Sequence, residues 1–156
     1  MRSAISHYLF AAIRALVCGL PPKRRAARDC FQGIVMANLD QVRSFIEAWN
    51  ARDLQRIGAL MADDIFYHNI PLEPIRGRET VCAAFAPLID ACSEIDWRVH
   101  HIGEGADGVV LTERTDDFVR DGKRLSVRVM GAFELKDGLI IAWRDYFDLG
   151  QYQSQL

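Results

Sequence analysis

The sequence is poor in cysteine, and what it has is not arranged for a metal or redox motif. Cys18, Cys30, Cys82 and Cys92 form no C-x-x-C pair, and none lies beside clustered histidines. A structural zinc site therefore has no ligand set of the usual spacing. The four read as free thiols of a reducing compartment, and a cytoplasmic location is expected. G-x-S-x-G, H-E-x-x-H and Walker A motifs are all missing, so serine-hydrolase, zincin and P-loop chemistries have no support. GEGADG at 103–108 fits G-x-G-x-x-G, but a strand-like segment, VVLTERTDDF, follows it. A phosphate cradle needs a helix there, so this is a hairpin loop. The net charge of −2 carries no excess of basic residues and argues against nucleic acid as the main ligand.

Acidic residues are absent before Asp29, whereas Arg2, Arg14, Lys23, Arg24, Arg25 and Arg28 all occur there. The apolar run Tyr8–Leu20 contains Arg14 and ends at Pro21-Pro22. It is shorter than the roughly 20 residues that span a bilayer and lacks a clean signal-peptide cleavage site. An acid-free, Arg-rich start suits a transit peptide or a surface-seeking helix. The reading adopted is an extension outside the core over residues 1–35, with Met36 as an alternative initiator, followed by one catalytic domain over 36–156. With 156 residues, half of them hydrophobic, the chain can build a sizeable core.

From Leu39 the apolar residues Val42, Phe45, Ile46 and Trp49 recur at helical spacing, which predicts a helix over 39–51. Asp53 is the N-cap of a second, short helix. A short strand over 65–69, a proline-containing loop over 71–77 and a third helix over 78–91 follow. Four long strands come next, near 94–103, 108–120, 123–136 and 139–148. Asp121-Gly122 and Asp137-Gly138 are hairpin turns. Helices first and strands afterwards predicts an α+β fold with helices on one face of a sheet.

Three of these strands carry polar groups among apolar ones. Alternation puts Leu139, Ile141, Trp143, Asp145 and Phe147 on one face. Arg114 and Asp116 share a face with Phe118, and Tyr67 shares one with Asn69. Taken singly, each has an ordinary explanation. Arg114 and Asp116 could be a solvated ion pair, and Asn69 could cap the turn at Pro71. Taken together on one concave surface, they give two carboxylates, a guanidinium and two neutral hydrogen-bonding groups. Such a set suits acid–base chemistry in a dry pocket, with one carboxylate giving a proton and the other taking one.

FYHNIPLEP (66–74), HIGEGADGVVLTERTDDF (101–118) and AWRDYFDL (142–149) together resemble the limonene-1,2-epoxide hydrolase family, over roughly residues 38–150. The resemblance implies a strongly curved, mainly antiparallel or mixed sheet around a deep pocket, a cone like that of ketosteroid isomerase. It implies that Asp145 is the general base, that Tyr67 and Asn69 hold the attacking water, that Asp116 is the general acid, and that Arg114 bridges both carboxylates. A small apolar, cyclic or terpenoid-like epoxide would become a vicinal diol in one step. No cofactor, metal or covalent intermediate is implied, and the partners are the epoxide, water and a second copy in a homodimer. Phe118, Val127, Val129, Trp143 and Phe147 are the expected substrate-binding wall. Phe118 and Val127 depart from the aliphatics expected at those family positions, which bears on the substrate and not on the reaction. His68 points away from Tyr67 and Asn69 on its strand, and His100 and His101, facing opposite ways, read as structural or solvated.

The alternatives are an isomerase or cyclase and a non-catalytic ligand-binding protein on the same fold. Neither requires an Arg-bridged carboxylate pair with a water clamp. A chain started at Met36 is expected to fold and to keep its activity. Insolubility of that shortened chain would place part of residues 1–35 in the core.

Overall fold

The computed structural model describes residues 25–156, with side chains from residue 38 onward. The readings made for residues 1–24 and for the side chains of 25–37, including Cys18 and Cys30, lie outside the described residues. Contacts divide the chain between Gln32 and Gly33, and the sheet belongs to Gly33–Leu156.

Helix α1 is Arg25–Asn50, α2 is Leu54–Ala59 and α3 is Arg78–Ala91. The Asp53 side chain accepts a hydrogen bond from the Arg56 backbone N–H and caps α2, as its position predicts. Six strands form one sheet: β1 (Met61–Asn69), β2 (Ile75–Arg76), β3 (Cys92–Glu104), β4 (Val110–Arg120), β5 (Lys123–Lys136) and β6 (Leu139–Phe147). Their order is β2-β1-β6-β5-β4-β3. Every neighbouring pair is antiparallel except β1 and β6, which run parallel. The sheet is thus mixed and curved, with helices on one face. A short helix, α4 (Leu149–Gln153), follows β6, and β2 lies within the segment 71–77 read as loop. Both are too short for periodicity to reveal.

The two Asp-Gly turns hold φ of 52° and 75° at Asp121-Gly122, and of 52° and 78° at Asp137-Gly138. Paired positive φ values fit the right-handed twist of the strands they join. The core lies between helices and sheet. Val42, Phe45 and Trp49 from α1 and Val81, Phe85 and Ile89 from α3 meet Phe133, Ile140 and Trp143 from the sheet. Trp143 is its centre, with Phe45, Trp49, Phe85 and Phe133 rings within 5.1 to 6.1 Å.

Strict alternation fails in β6. Ile140 is fully buried and Ile141 is only half-buried, yet Trp143 and Asp145 are buried. Leu135 pairs with Ile140 but Glu134 pairs with Ala142, so Ile141 is an extra residue without a partner. This bulge turns the strand over, letting Ile140 and the pair Trp143 and Asp145 share the interior. The sequence reading that put Ile141 on the inner face is corrected accordingly. A similar register shift in β3 leaves His100 extra between Val99 and His101. His100 and His101, expected on opposite faces, are therefore both exposed. Ile140→Ala should cost about 2–5 kcal/mol, and Ile141→Ala less than about 1 kcal/mol, in urea unfolding. Equal costs would mean that the bulge does not set the two faces.

Candidate active site

Arg114 projects from the inner face of β4 and is almost fully buried at 1% exposure. Its Nε donates to both oxygens of Asp116, at 2.9 and 3.2 Å. Its Nη2 donates to Asp145 Oδ2 at 2.5 Å, and its Nη1 to Thr112 Oγ1 at 3.1 Å. The guanidinium lies over the Trp97 ring, 4.6 Å from the centroid. Asp145 Oδ1 accepts from Trp143 Nε1 at 2.8 Å. Both aspartates are 4% exposed.

The sheet register makes this cluster possible. Strands β5 and β6 place Gly131 opposite Asp145, and β4 and β5 place it opposite Thr112. A Cβ at residue 131 would sit 2.3 Å from Arg114 Nη1 and 2.6 Å from Thr112 Oγ1. Glycine leaves the space that the guanidinium crosses on its way to Asp145. The parallel pairing of β1 and β6 sets Asn69 beside Asp145 and Tyr67 beside Trp143. Tyr67 is buried, its ring 4.5 Å from that of Trp143, and Asn69 is half-buried.

A cavity of about 200 Å³ opens onto this cluster. Tyr67, Asn69, Asp116 and Asp145 line it, as do all five expected wall residues, Phe118, Val127, Val129, Trp143 and Phe147. Arg114 lies behind the lining and touches the cavity only through the carboxylates it holds. Asp117, the next residue on β4, points the other way and is clamped by Arg98 and Arg124. His68 bonds the Leu72 carbonyl, His100 bonds Thr115, and His101 lies 3.7 Å from Glu113 at the surface. His101 thus has an exposed carboxylate neighbour that the sequence reading did not find. None of the three histidines lines the cavity.

Thr112, Gly131, Trp97 and the hydrogen-bonding role of Trp143 were missed in the sequence. Two signals were available: Thr112 lies two residues before Arg114 on the same face, and an isolated glycine inside a strand marks a close approach. The helical contributors to the wall, Trp49, Phe85 and Leu88, carry no signal that separates lining from core.

Burial, reinforced by the charge of Asp145 and opposed by Arg114, pushes the Asp116 carboxyl up to about 7. Burial and the Asp145 charge also push the Tyr67 hydroxyl up, so it keeps its proton. For Arg114, burial is outweighed by the two carboxylates, which hold its charge. Burial likewise raises the thiols of Cys82 and Cys92. The arrangement can present a protonated carboxyl and a carboxylate to one small molecule. Among the described residues, no three His, Cys, Asp or Glu side chains gather as metal ligands would.

The family model of the limonene-1,2-epoxide hydrolase catalytic domain matches residues 36–156. Epoxide hydrolase EphG of Mycobacterium tuberculosis is 37% identical over 109 residues, 69% of this chain and 71% of that protein. The solved structure of an M. tuberculosis LEH-like epoxide hydrolase superposes with a TM-score of 0.70 at 30% identity. That match covers 78% of this chain and 90% of the other. A protein of ketosteroid isomerase-like fold from Catenulispora acidiphila reaches 0.65 at 19% identity, over 74% and 90% of the two chains, and shows the fold alone.

The folded value of Asp116 lies above its ordinary value of 3.8, so the folded protein holds a proton that the unfolded chain releases. Its stabilising contribution is complete below about pH 4 and is lost as pH rises through about 7. Asp116→Asn cannot ionise. Its melting temperature relative to wild type should therefore rise between about pH 4 and pH 8. A difference that stays constant over that range would show that Asp116 holds no such proton.

Proposed function

The chain belongs to the limonene-1,2-epoxide hydrolase family, and from that premise we propose that it opens a small, largely apolar epoxide in one step. The observation that carries this reading is the single guanidinium bonded to both Asp116 and Asp145 at the wall of an otherwise apolar cavity. The protein is an epoxide hydrolase, and what is proposed here is how it acts and on what.

A water held by Tyr67 and Asn69 attacks one ring carbon. Asp145 takes a proton from that water as the new C–O bond forms. The bond between that same carbon and the ring oxygen breaks on the side opposite the attack, and the freed oxygen takes the proton of Asp116. Neither hydroxide nor a free alkoxide has to form at neutral pH, because push and pull occur together. The diol leaves with both oxygens protonated, Asp145 holds a proton and Asp116 is ionised. Exchange with water resets the pair. Arg114 keeps its charge throughout and fixes the distance between acid and base.

Asp145 is assigned as base because two donors, Arg114 Nη2 and Trp143 Nε1, hold its oxygens. Asp116 is assigned as acid because burial favours its protonated form. A direct attack by water also fits a lining that holds no histidine among the described residues, since an aspartate nucleophile needs a second base to hydrolyse its ester. A homodimer is part of the proposal. Leu111, Met130 and Tyr146, each about half exposed, lie on the sheet surface turned away from the core and suit a partner. A cytoplasmic location is also proposed, supported by the free Cys82 and Cys92. No helix among the described residues is long and apolar enough to cross a membrane.

Asp145→Asn and Asp116→Asn should each lower kcat by about 10²–10⁴-fold, and together by far less than the product of the two. A single turnover in ¹⁸O-water, with enzyme in excess over epoxide, should put the label in the diol and leave the protein unlabelled. Label in Asp145 or Asp116, with unlabelled diol, would replace the base by a nucleophile.

A further inference from the structure

Beyond Asp116 the inner face of β4 continues through Phe118 to Arg120. Among the described residues, Arg120 is the one Arg or Lys that lines the cavity. Its side chain is about half exposed, which puts it at the mouth. The carboxylate nearest to it, Asp121, lies 3.6 Å from Nε and is itself 90% exposed. Such a pair is worth little and is readily exchanged. The guanidinium is therefore open to another anion.

A second guanidinium lies nearby, outside the cavity lining. Arg120 faces Cys92 across the β3–β4 register, and Arg52 Nη1 donates to the Cys92 carbonyl at 2.6 Å. Both guanidinium groups act electrostatically on the Cys92 thiol, so they converge there. Four residues of strand separate Arg120 from Asp116, roughly 13 Å at about 3.3 Å per residue. Phe118, Leu125, Val127 and Leu88 fill the wall of the cavity in addition. The cavity is thus acidic at its closed end, apolar along its length and cationic at its opening. A wholly neutral hydrocarbon epoxide makes no use of the last feature. The carboxylate of Asp145 in the lining, with the cation of Arg114 behind it, disfavours an anionic group at the closed end, so a molecule with one charged end has a preferred orientation.

We propose that the preferred substrate is an amphipathic epoxide carrying a carboxylate, with the oxirane at Asp116 and Asp145, a hydrocarbon spacer of roughly 13 Å set by the strand, and the carboxylate on Arg120. This rests on the epoxide-hydrolase reading and narrows its substrate class. Arg120 takes no part in the bond changes and acts as a specificity residue.

The test compares kcat/KM for an ω-epoxy fatty acid, epoxyundecanoate, with that for its methyl ester and for limonene oxide. Wild type should favour the acid over the ester by about tenfold, the lower end for a charge-assisted contact at a half-exposed site. Added salt should shrink that preference. Arg120→Gln should abolish it through KM with kcat nearly unchanged, because the contact is equal in the ground and transition states. Arg120→Glu should reverse it. Both variants should keep the wild-type circular dichroism spectrum and melting temperature, which shows that their fold is intact. If wild type turns over ester and acid equally, or Arg120→Gln keeps the preference, the anion site is overturned and the epoxide hydrolase stands. If none of the three epoxides is opened, the parent reading falls and takes the anion site with it.

Discussion

A guanidinium buried with two carboxylates is the constraint around which the rest of the structure is built. One positive charge and two potential negative ones cannot all be ionised in a dry site without a net charge. Retaining one proton makes the cluster neutral. The hydrogen bonds decide where that proton goes. Asp145 receives separate donors on its two oxygens, from Arg114 and Trp143. Asp116 has one N–H shared between both oxygens. The proton therefore belongs on Asp116, and the reaction proposed above uses it as the acid and Asp145 as the base. On that reading two residues of the same type take opposite roles from the number of donors around each.

The backbone is shaped to hold this cluster. Gly131 supplies the passage for Arg114, and the Trp97 ring covers the face of the guanidinium. The bulge at Ile141 turns Asp145 inward without taking Ile140 out of the core. The one parallel pairing, β1 with β6, brings Asn69 alongside Asp145. An antiparallel hairpin would put these two residues together only by a short connection. Here the sequence between them contains α3 and four more strands, so the contact comes from topology.

Much of this was legible in the sequence, and the parts that were not have physical reasons. Asp-Gly turns, the Asp53 cap and the spacing of Val42, Phe45 and Trp49 report local preferences, and the elements they announce are present. R-x-D on one strand and W-R-D on another put the charged groups on inner faces because i and i+2 project together. The face of β4 could not be chosen by pattern, since Glu113, Thr115 and Asp117 are as mixed as Arg114 and Asp116. Burial on that side is decided by helices far away in the chain. The bulges at Ile141 and His100 were invisible because one extra residue leaves composition and spacing unchanged and alters only pairing. Thr112 drew no role and Trp143 only that of a wall residue, because a hydrogen bond to a charged neighbour depends on register, which a single strand does not report.

The cone-shaped fold is shared at 19% identity with a protein of ketosteroid isomerase-like fold, so the sheet and its cavity do not select the chemistry. What selects it is the placement of a few polar groups on an apolar wall. A single base with an oxyanion donor would need neither Arg114 nor the space kept open by Gly131. Burying a guanidinium that makes no contact with the cavity costs desolvation, and only its carboxylate partners offset that cost. The arrangement makes sense where an acid and a base must be held at a fixed distance while a proton moves at each. Opening a strained ring with water has that requirement. Moving a proton from one carbon to another does not, because one group can remove it and return it.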